Sequence, residues 1–132
     1  MTGPIKAKRA RVDGQITGLA GELFVAAELL KRGLQTSITF GNAKAVDLLA
    51  FNSTTGRSFT VQVKALRARN YFPLSHERVS AKHLYVFVVL NKPGKQVQYY
   101  IVPGQTLLDQ PERFGKWFTE DKFPGAHVRF LE

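Results

Sequence analysis

Three polar residues stand where the pattern of the chain does not favour them. Asp47 lies in Ala45-Val46-Asp47-Leu48-Leu49-Ala50, inside a short apolar run (residues 46–51) that reads as a strand, where propensity and burial both disfavour a carboxylate. Gln62 and Lys64 lie in Phe59-Thr60-Val61-Gln62-Val63-Lys64-Ala65. Strand alternation puts Phe59, Val61, Val63 and Ala65 on one face of that run and Gln62 and Lys64 on the other. Between the two runs, Asn52-Ser53-Thr54-Thr55-Gly56-Arg57 has turn chemistry, so they are expected to form a hairpin. A turn centred between Thr54 and Thr55 sets Asp47 opposite Gln62, with Lys64 one step along the same face, unless a bulge shifts the register by a residue. An acid, an amide and an ammonium then share a small patch.

A fourth group comes from residues 17–32, which read as a helix ending at Gly33. Its apolar stripe is expected to be Leu19, Leu23, Ala26, Ala27 and Leu30. Glu22 falls about 80° from the centre of that stripe, at the edge of the buried face, and Glu28 falls on the solvated side. Gly18 and Gly21 share the flank of Glu22. Each weakens the helix by about 1 kcal/mol, and close approach of a phosphate to the backbone would explain them.

Glu22 and Asp47 are hard oxygen ligands suited to Mg²⁺ or Mn²⁺. The side-chain carbonyl of Gln62 and the backbone carbonyl of Val63 extend that set. A metal held there polarises a phosphoryl oxygen and acidifies bound water. Lys64 would position that water or stabilise developing negative charge. Singly, each residue has an ordinary explanation. Asp47 is a strand-end acid pairing with Lys44 or Lys64, Lys64 an edge-strand gatekeeper, and Glu22 an acid favouring the helix dipole. Their convergence carries the functional reading.

On these residues the chain resembles the PD-(D/E)XK nuclease superfamily: Glu22 on a first helix, Asp47 on a strand, and Gln62-Val63-Lys64 on the next. The text Gly-Leu-Ala-Gly-Glu-Leu-Phe-Val-Ala-Ala-Glu-Leu-Leu-Lys-Arg-Gly looks like the opening helix of small members of that superfamily. The resemblance spans residues 17–66, more loosely to 102. It implies an α/β fold with an α-β-β-β-α-β core, a mixed sheet flanked by helices. It further implies metal binding by Asp47 and Gln62, support of a metal or water by Glu22, and catalysis by Lys64. The chain departs from the motif twice. Val46 replaces the proline, and Gln62 replaces an acid, which removes one negative charge from the metal site. Some active homing enzymes are similar in carrying Gln there, and the same change also suits a domain that has lost activity.

Composition narrows the partner. Nineteen Lys and Arg against ten Asp and Glu give a net charge of +9, and a domain this basic attracts polyanions, nucleic acid first. Lys6, Lys8, Arg9 and Arg11 make residues 1–13 a basic, flexible arm in this reading, ahead of a single domain over 14–132. Lys44, Arg67, Arg69 and Lys82 add candidate phosphate contacts, and Tyr71 a stacking surface. With no cysteine, disulfide frameworks and thiolate metal sites are excluded. No apolar run is long enough to span a bilayer, so a cytoplasmic chain with no membrane partner is expected. His76, His83 and His127 have no metal-site or triad spacing.

The remaining elements are strands over residues 34–40, 84–90 and 97–102, a helix over 75–82, and a short helix over 105–109. The strand at 84–90 is apolar throughout and is expected inside the sheet. The aromatic tail, with Trp117, Phe118, Phe123 and Phe130, has no pattern and is expected to pack over one end of the sheet. The leading expectation is a metal-dependent DNA endonuclease, acting as a homodimer or higher homo-oligomer where two strands are cut. The alternatives are an inactive nuclease-fold DNA-binding module, or a subunit of a larger assembly, and an RNA-binding protein.

Overall fold

The computed structural model describes residues 3–39, 47–120 and 127–130, with the backbone alone described for 3–12. Helix α1 runs Gly3–Lys31, starting well before the expected Thr17. Pro4 stands in its first turn, where a missing N–H costs nothing, and the Lys-Ala-Lys-Arg-Ala-Arg run after it consists of strong helix formers. The segment read as an arm therefore continues the helix. Lys31 closes α1, and Gly33 turns the chain with φ +86°.

The strands follow as β1 (Gln35–Ile38), β2 (Leu48–Asn52), β3 (Arg57–Leu66), β4 (Phe72–Pro73), β5 (His83–Val89), β6 (Gln98–Pro103) and β7 (His127–Val128). Five of them form one sheet in the order β1-β2-β3-β5-β6. Every neighbouring pair is antiparallel except β3–β5, so the sheet is mixed, as expected. From Leu48 onward the hairpin has the expected register, Leu48 facing Val61 and Leu49 facing Thr60. Asp47 itself is not paired with Gln62, because its N–H donates to the Val61 carbonyl. Asn52 fixes its turn by accepting the N–H groups of Thr54 and Thr55, and Gly56 takes φ +73°.

The connection from β3 to β5 differs from expectation. The helix sought over residues 75–82 is a single 3₁₀ turn, His76–Arg78, beside the short β4–β7 ribbon. Pro73 precedes it, and Val79 is already extended. Leu74 and Val79, five residues apart, share no helical face.

The sheet has a core on each side. On one, Val25 and Ala26 of α1 pack on Leu48, Val61, Val86 and Val88. On the other, Tyr85, Phe87 and Val89 meet Phe72, Leu74 and the chain's C-terminal part. That part supplies α2 (Gly104–Asp109), the 3₁₀ turns Pro111–Phe114 and Lys116–Phe118, and Phe130. The aromatic tail thus builds a second core over the sheet face, more than a cap on one end. Phe118 and Leu107 are fully buried there. Phe123 lies outside the described residues.

The rotation of α1 also differs from expectation. Thr17, Gly21, Glu22, Val25 and Ala26 face inward, while Leu19, Leu23, Ala27 and Leu30 are exposed. Gly21 sets this rotation. A Cβ there would come within 2.5 Å of the Ala65 Cβ and 3.5 Å of Val63 Cγ1, so only glycine lets the helix lie this close to β3. Its role is helix–sheet packing and not, as expected, access for a phosphate.

Candidate metal and nucleic-acid site

Hydrogen bonds to Thr39, Val61 and Val63 hold Asp47 in place. Its carbonyl accepts from the Thr39 N–H at 3.0 Å and the Thr39 hydroxyl at 3.1 Å. Its N–H donates to the Val61 carbonyl at 3.1 Å, and its Oδ2 accepts the Val63 N–H at 2.7 Å. Val61 is also the partner of Leu48, so Asp47, just before β2, and Leu48, its first residue, meet one residue of β3, the geometry of a bulge. There the β2–β3 ladder stops, while β3 continues to Leu66. The Asp47 carboxylate takes the place of a backbone partner at Val63, in the middle of Gln62-Val63-Lys64.

The four expected residues meet this break from different sides. In the parallel register Gln62 pairs with Tyr85 and Lys64 with Phe87, which puts both on the sheet face away from α1. Both are half-buried. Glu22 lies on the α1 side, next to Gly21, in the helical turn that rests on Val63 and Ala65. Asp47 stands between, at the edge where β2 leaves β3. Glu22 and Asp47 are 9% and 8% exposed, a burial that carboxylates accept only with strong compensation. The Asp47 carboxylate and the Val63 carbonyl are oxygen donors of the kind a Mg²⁺-type cation takes, with Glu22 and the Gln62 carboxamide approaching the break from opposite faces of the sheet. The described residues include no group of three or more His, Cys, Asp or Glu placed to hold a metal, so that donor set rests on two acids supplemented by neutral oxygens.

One solved structure has a similar chain path. It is the bacterial homing endonuclease I-Ssp6803I, with a TM-score of 0.50 and 16% sequence identity over 72% of this chain and 68% of that one. The fold is nuclease-like. No family model matches the chain, and no curated protein matches it.

On this nuclease-like fold, the expected nucleic-acid residues divide. Arg67 and Arg69 leave the C-terminal end of β3 and are exposed, as is Tyr71. Lys82 sits at the other end of the sheet, where its carbonyl meets the Thr60 hydroxyl at 3.4 Å. Lys6, Lys8, Arg9 and Arg11 lie on α1, with only their backbone described, and Lys44 lies outside the described residues. The fold gathers further cations that linear reading missed. The Leu90 and Asn91 N–H groups continue the β3–β5 pairing onto Leu66 and Arg67, each at 2.9 Å. This brings the turn with Lys92 and Lys95 beside Arg67, where they line one hollow. A second cleft, about 430 Å³, is lined by Arg69, Asn70, Tyr71, Phe72, Tyr100 and Arg129 among others. The Arg129 guanidinium stands 5.5 Å from the Tyr71 ring centre. Lys92 and Lys95 lie in a turn closed by the Lys95 N–H on the Lys92 carbonyl, and Arg129 lies in the C-terminal tail; only the tertiary fold joins them.

Two histidines have structural partners. His83 Nδ1 lies 2.6 Å from the Thr60 hydroxyl, and His76 Nε2 lies 3.1 Å from the Leu108 carbonyl. Among the described residues, no helix is long and apolar enough to cross a membrane.

Proposed function

We propose that the chain is a metal-dependent DNA endonuclease of PD-(D/E)XK type. The observation that carries this reading is the Asp47 carboxylate fixed at 2.7 Å on the Val63 N–H, inside Gln62-Val63-Lys64 and where β2 and β3 part. Asp47, the Gln62 side-chain carbonyl, the Val63 carbonyl and Glu22 would hold Mg²⁺ or Mn²⁺. When bound, the cation supplies Lewis-acid stabilisation of a phosphoryl group and an acidified water. Asp47 and Glu22 contribute the negative charge that attracts it. The Lys64 ammonium orients the attacking water or neutralises charge that grows on the phosphate oxygens. Arg67, Arg69, Lys92, Lys95 and Arg129 engage backbone phosphates at the strand ends, and Tyr71 offers a ring for an unstacked base.

A second reading follows from Gln62, which withholds one negative charge from the metal. It is a non-catalytic DNA-binding module on the same scaffold. Cleavage of single-stranded, duplex and four-way-junction DNA with Mg²⁺, Mn²⁺ or EDTA separates the two. The endonuclease reading expects cutting that EDTA abolishes and that Asp47→Asn reduces at least a hundredfold, since Asn keeps a bond to Val63 but loses the charge. DNA binding without cutting under every condition favours the module.

A further inference from the structure

Helix α1 is apolar on both sides. Its inner face packs on the sheet through Gly21, Val25 and Ala26. Its outer face carries Ile16, Leu19, Leu23 and Leu30, between 45% and 55% exposed, with Phe24 on its flank. Five of the eight large apolar side chains exposed among the described residues are on this one helix. A helix apolar all round belongs in an interior, and an apolar stripe of this length marks an interaction site. Ile16, Leu23 and Leu30 recur every seven residues with Leu19 between them, the spacing by which helices pack against each other.

We propose that this outer stripe pairs with the same stripe of a second copy, antiparallel, about a twofold axis at Leu23. The arrangement follows from the order of the residues. With Leu23 facing Leu23, Ile16 faces Leu30 and Leu19 faces the small Ala27, so large meets small along the seam. Ala20 and Ala27, next to the leucines, let the helices approach closely. Charge supports the same direction. At 100° per residue, Asp13 and Lys31 project from the same flank of the stripe, almost equally far before and after Leu23. An antiparallel twofold brings same-flank residues together, so each Asp13 meets the partner's Lys31 at both ends of the seam. Both residues are exposed. A parallel pair would put the two Asp13 side chains on opposite flanks of the seam and leave each about 27 Å along the helix from the partner's Lys31, so the pairing would not form. Glu28 is half-buried and pairs with Arg32 at 3.5 Å, away from the seam.

The absence of cysteine makes the geometry directly testable. In solution the full chain is expected at twice its 14.8 kDa mass by light scattering, and Leu23→Glu, which sets two like charges together on the axis, is expected at the single-chain mass. Under mild oxidation, Leu23→Cys is expected to cross-link to itself. Ile16→Cys and Leu30→Cys are expected to cross-link when mixed, and not alone. Self-linking of Ile16→Cys with no mixed product would overturn the antiparallel seam in favour of a parallel one. A parent chain of single mass at all micromolar concentrations, or a Leu23→Glu variant that stays dimeric, would overturn the surface itself. Because these residues are half exposed, substitution spares the core. If Leu23→Glu nevertheless fails to fold, the cysteine pairs decide alone.

Discussion

At Asp47, every described bond serves position. Thr39 holds its carbonyl from one side, Val61 takes its N–H from the other, and its carboxylate caps Val63. A carboxylate in a sheet interior is costly, and here it replaces backbone pairing at the point where two strands separate. The turn residues and the alternation around Gln62 specify the hairpin register as far as Leu48. The bulge that sets Asp47 against Val61 in place of Gln62 depends on contacts that the alternation does not encode. What linear reading could not supply is which side of the sheet each group occupies, because that depends on the seating of α1. Gln62 is the residue that most limits the site. Restoring an acid with Gln62→Glu is expected to tighten Mn²⁺ binding about tenfold, or about 1.4 kcal/mol. Titration calorimetry measures this, and an unchanged affinity would remove Gln62 from the donor set.

At the scale of elements, the seating of α1 explains both the successes and the failures of pattern reading. The helix was evident from its periodicity, yet its leucines indicated the wrong face. Small residues decided the contact, because Gly21 permits an approach to β3 that no leucine would allow. Pattern scoring weighs hydrophobicity and is blind to such close fits. Paired substitutions test this. Gly21→Ala must displace Ala65 or the helix and is expected to cost about 1–3 kcal/mol. Gly18→Ala, where an added Cβ meets nothing within 4 Å, is expected to gain up to about 1 kcal/mol from helix propensity. Urea denaturation reads both, and equal effects would show that Gly21 does not set the packing. The second core escaped sequence reading for a related reason. Phe114, Phe118, Val128 and Phe130 come from 3₁₀ turns, a two-residue strand and irregular chain, all too short or irregular to show a period.

Over the whole molecule, the net charge of +9 is concentrated by the fold as well as by composition. Arg67, Arg69, Lys92, Lys95 and Arg129 reach the strand ends from three separate stretches of chain. DNA affinity is therefore expected to fall steeply with salt, and Lys92→Ala with Lys95→Ala to lower the slope of log affinity against log salt by about one to two. Fluorescence anisotropy across a salt series checks this, and an unaltered slope would place the DNA elsewhere. Binding and chemistry thus rest on different residues, which allows them to be separated. Lys64 is half-buried on β3, apart from the exposed cations, and is required in this account for the chemical step alone. The decisive measurement compares parent and Lys64→Ala for both binding and metal-dependent cutting of the same DNA. Affinity is expected to stay unchanged and cutting to fall about a thousandfold. A Lys64→Ala protein that cuts as fast as the parent would contradict the assignment of the site.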